Sequence, residues 1–394
     1  MCDVIDHAIA RLPETSRRRF LQTMGASAVV GGLSLVAATP AAAATGGGQA
    51  STSRFRTKLV LLGTGGGPTL LSEGRAGIST AVVYDGAVYL VDLGHGAHMQ
   101  LIKAGLAGEG FGGRSLTNVR SILFTHMHSD HVAEWPATYS TGMTNRVGAT
   151  SDPIRVFGPG DREALPRVFP PNRPTPAVVN PERPSPGISG MTGYLDQAFA
   201  ADFNDRIRDS GAPGPWPYFS MTDIDISGMW TVDEAGIPPR VAPFEIWRDG
   251  AVRITATLVD HRPTAPAFAF RFDTPDGSIV VSGDTAPSAN LIELAQGADY
   301  LVHEVIDPAF ADQLAEVVGG PAGQALKAHL LASHTTIEQV GRDVAEPAGV
   351  KTLVLSHIAP SNVDVKRLRA AKQGFSGDLI IGEDLMQIGV GARS

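Results

Sequence analysis

An α/β chain, with two β-sheets packed together and helices outside, is the fold class the sequence predicts. Three observations predict it: short β-type runs fill the first part of the chain, a histidine-rich turn follows one of them, and a second β-rich part ends in alternating helix and strand. The chain has 394 residues, 43% of them hydrophobic, which is enough for one large domain or two small ones. No internal repeat stands out.

Residues 1–44 stand apart from this fold. Ser16-Arg17-Arg18-Arg19-Phe20-Leu21 has the form of a twin-arginine export signal, a mildly apolar stretch follows at 24–38, and residues 41–44 supply the small side chains of a cleavage site. That stretch is short and rich in Gly and Ser for a membrane span, so cleavage is expected over an uncleaved anchor. The expected mature chain, residues 45–394, reaches the periplasm or the exterior through the twin-arginine translocase and carries no stable membrane span. The one cysteine, Cys2, lies inside the signal, so the core and bound metal must stabilise the exported chain without disulfides. The whole chain carries −8, and removal of the signal leaves 28 basic against 37 acidic residues with no basic run. Such a surface attracts RNA poorly, so no nucleic-acid partner is expected, whereas a small anion drawn to bound dications is compatible. For assembly, a monomer and a homodimer are both open.

The first mature elements are strands. Residues 59–62 are apolar and end at Gly63-Thr64-Gly65-Gly66-Gly67-Pro68. No helix-opening Gly-Lys-Ser/Thr follows, so this is read as a tight turn that lets backbone approach a site. Residues 80–84 and 87–93 flank Asp85-Gly86 and read as a hairpin. Asp92 ends it in Val91-Asp92-Leu93-Gly94, facing the interior, where an unpaired carboxylate is costly. It is expected to orient metal ligands from behind, the alternative being a cap for a helix at 97–107. His95 and His98 read as ordinary polar residues.

Residues 161–242 differ in character. They form a proline-rich insertion with Pro170-Pro171-Asn172-Arg173-Pro174, Pro213-Gly214-Pro215-Trp216-Pro217 and a helical pattern at 194–207. Trp216, Tyr218, Phe219 and Trp230 either line a cleft or staple this segment to the body. Beyond residue 244 strands dominate, followed by helices at 287–296 and 336–345 and strands at 300–305 and 352–356.

The strand at 119–124 runs into His126-Met127-His128-Ser129-Asp130-His131. Three imidazoles and a carboxylate crowded into one turn call for a cation, and this donor set suits zinc, iron or manganese better than calcium. His126 and His128 alternate with Met127 and can face one metal, while Asp130 and His131 lie past the turn and can reach a second. His261, Asp284 and His357 each follow a β-type run and are expected to project from the same edge of a sheet.

Taken together, these phrases resemble the metallo-β-lactamase superfamily, an αββα sandwich with a dinuclear metal site. The resemblance covers residues 58–160 and 251–389, and is nearest to the ribonuclease Z and arylsulfatase/phosphodiesterase branch through Gly63-Thr64-Gly65, Val91-Asp92-Leu93-Gly94-His95-Gly96, Phe157-Gly158-Pro159-Gly160, Ser282-Gly283-Asp284-Thr285, His303-Glu304 and His334-Thr335-Thr336. It implies one metal on His126, His128 and His261, another on Asp130, His131 and His357, and Asp284 between them. It also implies that His303 protonates the leaving group, while His334 lies near the site without an assigned role. Two departures are visible. Ribonuclease Z enzymes often carry an RNA-gripping arm before the bridging aspartate, yet only residues 272–283 separate Arg271 from Asp284 here, and His303-Glu304 continues Val305-Ile306 where Ala-Thr is usual.

Two divalent ions, Zn²⁺ or alternatively Mn²⁺ or Fe²⁺, would bring a bound water towards a pKa of about 7. Asp130 can orient that water. The leading expectation is a periplasmic metal-dependent hydrolase of phosphodiesters or aryl sulfate esters acting on a small molecule. The alternatives are a lactonase or β-lactamase-type hydrolase and a non-catalytic metal-binding protein.

Overall fold

The computed structural model describes residues 52–68, 74–109, 114–146, 152–170 and 173–392. The export signal therefore lies outside the described residues. Strand β1 (Thr57–Gly63) shows how the architecture arises: Leu59 and Leu61 face one way and Val60 and Leu62 the other, and all four are buried. A strand buried on both faces reads as a continuous apolar run, and a sheet made of such strands needs cover on each side.

Two seven-stranded sheets provide that arrangement. The first contains β1, β2 (Ser79–Tyr84), β3 (Ala87–Val91), β4 (Val119–Leu123), β5 (Ile154–Pro159), β6 (Phe219–Ile224) and the last strand, β14 (Met386–Val390), in the order β14-β1-β2-β3-β4-β5-β6. The second contains β7 (Phe244–Asp249), β8 (Val252–Leu258), β9 (Phe268–Thr274), β10 (Gly277–Val281), β11 (Tyr300–Ile306), β12 (Thr352–Ala359) and β13 (Asp378–Ile381), in the order β13-β12-β11-β10-β9-β8-β7. Leu59, Leu61, Tyr89 and Leu123 of the first sheet meet Ile254, Phe268, Phe270, Phe272 and Val302 of the second in the central core. Val60, Leu62 and Val83 pack outward against Leu101, Trp135 and Ile188. Leu301, Leu353 and Leu355 pack outward against Leu291, Leu294 and Val344. The four layers are the expected αββα sandwich.

Strand direction places the site. β10, β11 and β12 run parallel, and β8 shares their direction because both β8 and β10 are antiparallel to β9. In the first sheet β3 and β4 are parallel. The residues that follow these strands gather at one end of the sandwich. The expectation that His261, Asp284 and His357 would project from the same edge of a sheet holds, since β8, β10 and β12 all belong to the second sheet, and the first sheet adds the residues after β3 and β4. Direct bonds join the sheets there, with Phe268 N–H donating to the Thr125 carbonyl (2.9 Å), Gly66 N–H to that of Ile358 (3.0 Å) and Ile358 N–H to that of Thr64 (2.9 Å).

Three other expectations change. The segment 161–242 is not purely an insertion, since it contributes β6, which pairs in parallel with β5 and completes the first sheet. Its helical pattern resolves into two helices, Ile188–Ala198 and Ala200–Ser210, meeting at Phe199. The strand expected to end before His357 continues through it to Ala359. The aromatics mainly act as staples: Phe219 packs edge-on against Trp135 at 5.3 Å, Trp230 lies against the central core, and Trp216 stacks edge-on with Phe203 at 6.3 Å. Among the described residues no helix is long and apolar enough to cross a membrane.

Candidate metal centre

The turn after β4 sets the first donors. His128 has extended backbone and precedes the short helix Ser129–Val132, so His126 and His128 project before the turn, with Asp130 and His131 on it. His261 follows β8, Asp284 follows β10 and His357 lies within β12. Gly283 has φ +59, and a Cβ there would meet the Phe268 carbonyl oxygen at 2.7 Å, so a residue without a side chain is required beside Asp284.

Two groups of donors result. One is His126, His128, His261 and Asp284, and the other is Asp130, His131, His357 and Asp284, with the donor atoms of each group within 4.8 Å of one another. Asp284 belongs to both, and its two oxygens divide between them. Oδ1 lies 3.3 Å from His131 Nε2 and 3.2 Å from His357 Nε2, while Oδ2 lies 4.0 Å from His126 Nε2 and 3.8 Å from His261 Nε2. His128 Nδ1 is 3.2 Å from His261 Nε2, and Asp130 Oδ2 is 3.3 Å from His357 Nε2.

These spacings fit cations. Ligand bonds of about 2.1 Å in a tetrahedral site put donor atoms roughly 3.4 Å apart. Within the protein, His126 Nε2 and Asp284 Oδ1 are buried and make no hydrogen bond, which is costly unless their lone pairs are taken up. Burial, reinforced by His131, His261 and His128, pushes the His126 imidazole well below its usual range. Burial alone would raise the Asp284 carboxyl, but the surrounding His357, His131 and His261 hold it well below the usual carboxylate range. A neutral imidazole and an ionised carboxylate are the forms that bind metal.

Three of the imidazoles are held through their other nitrogen. His131 Nδ1–H donates to Asp92 Oδ2 (2.8 Å), and Asp92 also accepts from the Thr125 N–H and hydroxyl, both at 2.8 Å. Asp92 is therefore an orienting carboxylate and not a helix cap, a place that Gly96 occupies before the helix Ala97–Lys103. His261 Nδ1–H donates to the Ser333 carbonyl (2.9 Å), and His128 Nε2 meets the Thr264 hydroxyl (2.7 Å). Gly66 gives the glycine turn its expected role, since a Cβ there would stand 2.7 Å from His357 Nδ1. Thr125, Thr264 and Ser333 carried no recognisable spacing in the sequence. Ser333 ends the helix Gly320–Ser333, one of a pair with Pro308–Val318 that the sequence reading did not identify.

The His303 ring is fully buried, Nδ1–H donates to the Glu304 carbonyl (2.7 Å), Nε2 has no hydrogen-bond partner, and the ring lines a small internal cavity together with Asp92, His131, Asp284 and His357. His334 also stands at the centre. Its Nδ1 is 2.9 Å from Glu304 Oε1 and 3.9 Å from Asp284 Oδ2, and its ring stacks over His357 at 6.2 Å. Burial would lower its pKa, but the Glu304 carboxylate outweighs burial and pushes it up to about 9. Glu304 is visible in the His303-Glu304 phrase, but only the fold brings it to His334. Its Oε1 also accepts from the N–H groups of Thr285 (3.0 Å) and Thr335 (3.3 Å), which holds it in place.

Residues 74–318 match the metallo-beta-lactamase superfamily. A protein named Ribonuclease Z from Mycobacterium marinum is 32% identical over 343 residues, covering 85% of this chain and 99% of that protein. A second of that name, from Mycobacterium avium, is 31% identical over 341 residues, covering 86% and 99%. The crystal structure of human tRNase Z, short form, shares the fold with a TM-score of 0.52 at 19% identity, covering 85% of this chain and all of that one. The chain belongs to the metallo-β-lactamase superfamily, and within it the class is that of metal-dependent hydrolases.

Proposed function

We propose that this protein is a phosphodiester hydrolase working with two divalent cations. The observation that carries the reading is the His334–Glu304 pair set against the two donor groups that share Asp284. An alkoxide leaving group needs a proton, and Glu304 holds Nδ1 of a charged imidazole so that Nε2–H is the one left to donate. His126, His128 and His261 would hold one ion and Asp130, His131 and His357 the other, with Asp284 between them. When bound, the two cations supply an activated water near neutral pH and countercharge for the developing oxyanion. Asp130, the most solvent-facing of the carboxylates at the centre, is placed to orient that water.

The relatives named Ribonuclease Z favour a second reading, in which the diester is RNA. Against it stand the acidic balance of the chain and the β9–β10 connection, a tight hairpin pairing Thr274 with Gly277 that leaves no arm before Asp284. Aryl sulfate esters remain a companion substrate class to be assayed beside phosphodiesters.

His334→Ala tests the proposal. With metal content confirmed, the variant should lose about 10²- to 10⁴-fold on diesters with alkoxide leaving groups and much less on those that release nitrophenolate. Equal losses on both would remove His334 from proton donation. Failure of the metal-loaded protein to hydrolyse any phosphodiester would overturn the reading itself.

A further inference from the structure

A cleft of about 460 Å³ opens beside His128, between the end of β5, the proline-rich segment and the loop after β8. His128 and Thr264 form part of its wall, so it is continuous with the candidate metal centre. Six prolines line it, among them Pro166, Pro184 and Pro266, together with Leu165, Met127 and Met191. Prolines bring little conformational entropy to lose when a ligand settles against them, so the surface is apolar and preformed.

Ionisable groups are few in its lining. Besides the His128 imidazole, the one ionisable side chain in the lining is Arg162, which is 8% exposed. The Arg162 guanidinium donates to the backbone carbonyls of Asp233 (2.7 Å) and Pro263, and the backbone N–H of Arg162 donates to the carbonyl of Ser185 (3.2 Å). Arg162 thus ties three walls of the cleft together. A nucleic-acid strand needs cations along its track, and this lining holds no lysine and no outward-facing arginine.

We propose that the cleft is the subsite for an apolar ester group, an aryl or branched alkyl substituent, on a phosphodiester monoanion. The proposal rests on the phosphodiesterase reading above and narrows its substrate class. The volume lies within the range of small-molecule pockets, about 300–1,000 Å³, and accommodates a phenyl group. The metal centre would hold the phosphate, and the proline-lined wall would discriminate by what hangs from it.

Calorimetric titration of the metal-loaded protein with diphenyl phosphate and with diethyl phosphate tests this. The two carry the same charge, so attraction to the cations cancels and the ratio reads the apolar contact. Diphenyl phosphate should bind tighter by about tenfold to a hundredfold. Leu165→Asp should reduce that ratio to within about threefold, and Met191→Gln, on another wall, should move it in the same direction. Leu165 is 40% exposed, so the charge it would gain is solvated and folding should survive. Equal affinity for the two diesters, a ratio untouched by both variants, or displacement of diphenyl phosphate by a short single-stranded RNA at physiological salt would each overturn the proposal. Turnover of bis(4-nitrophenyl) phosphate, followed in the same preparations, keeps the two readings apart. Binding preference without turnover upholds the cleft and strikes the phosphodiesterase reading, whereas turnover without preference strikes the cleft alone.

Discussion

Asp92 and His357 both hold positive φ, +57° and +42°, in a backbone region that residues with side chains rarely adopt. Such conformations cost on the order of 1–3 kcal/mol each and persist only where their surroundings over-determine them. At Asp92 the surroundings are the two bonds from Thr125 and one from His131. At His357 they are the close backbone of Gly66 and a shift of register between β11 and β12. Two strained residues in a single centre indicate that geometry there is held at the expense of local stability. His303 is a fully buried ring whose Nδ1 is held by the Glu304 carbonyl, and in the reading that gives proton donation to His334 its part is structural. His303→Ala should cost about 2–4 kcal/mol of unfolding free energy, as other large-to-small changes in a core do, and should leave the dependence of rate on leaving group unchanged. Denaturant unfolding and the diester series measure the two halves, and a loss confined to alkoxide leaving groups would return the donor role to His303.

The turn after β1 shows how one element serves the site. Its backbone runs close enough to His357 that a Cβ on Gly66 would lie 2.8 Å from the His357 main chain, which cannot yield as a flexible side chain would. Gly66→Ala should therefore displace the His357 ring and weaken the second cation by about 10- to 100-fold, the scale seen when groups supporting a metal ligand are lost. Competition with a chromophoric chelator would measure it, and unchanged binding of both ions would remove the turn from the site. The legibility of elements varied with their surroundings. The β2–β3 hairpin and β4 were readable because strict local patterns and the Asp85-Gly86 turn define them. β6 was hidden, since Phe-Ser-Met-Thr-Asp-Ile at an outer edge, amid prolines, buries only its ends. Of the helix pair before His334, Gly320–Ser333 escaped because its alanines and glycines give a weak apolar stripe.

At the scale of the molecule the two sheets must stay in register at the end that carries the donors. Away from that end, Asp249 of β7 accepts from Tyr89 Oη of β3 (2.9 Å) and Arg120 Nε of β4 (2.9 Å), linking sheet to sheet. Burial alone would raise the Asp249 carboxyl, but the bonds from Arg120 and Tyr89 outweigh it and hold the group below its ordinary 3.8. A carboxyl depressed in the folded state contributes stability above its unfolded pKa and loses it as pH falls through the folded value. Asp249→Asn should lower stability near neutral pH and show a smaller decline between about pH 6 and pH 3 than the parent protein, by denaturant unfolding at each pH. An identical decline in both would exclude Asp249 from the acid response.

Donor identity was legible along the chain because a metal centre demands particular atoms: imidazoles and carboxylates at strand ends are chemically unlike the β-branched and aromatic residues that fill strands. His126, His128, Asp130, His131, His261, Asp284 and His357 do come together. Distance in space was not legible. That Asp284 faces both groups, that Glu304 grips His334 and not its neighbour His303, and that Thr264 meets His128 all depend on how the stacked sheets and the loops at their shared end come together. Those contacts join residues 30 to 158 positions apart in sequence, so no local pattern encodes them, and they exist only once the central core has set the sheets against each other.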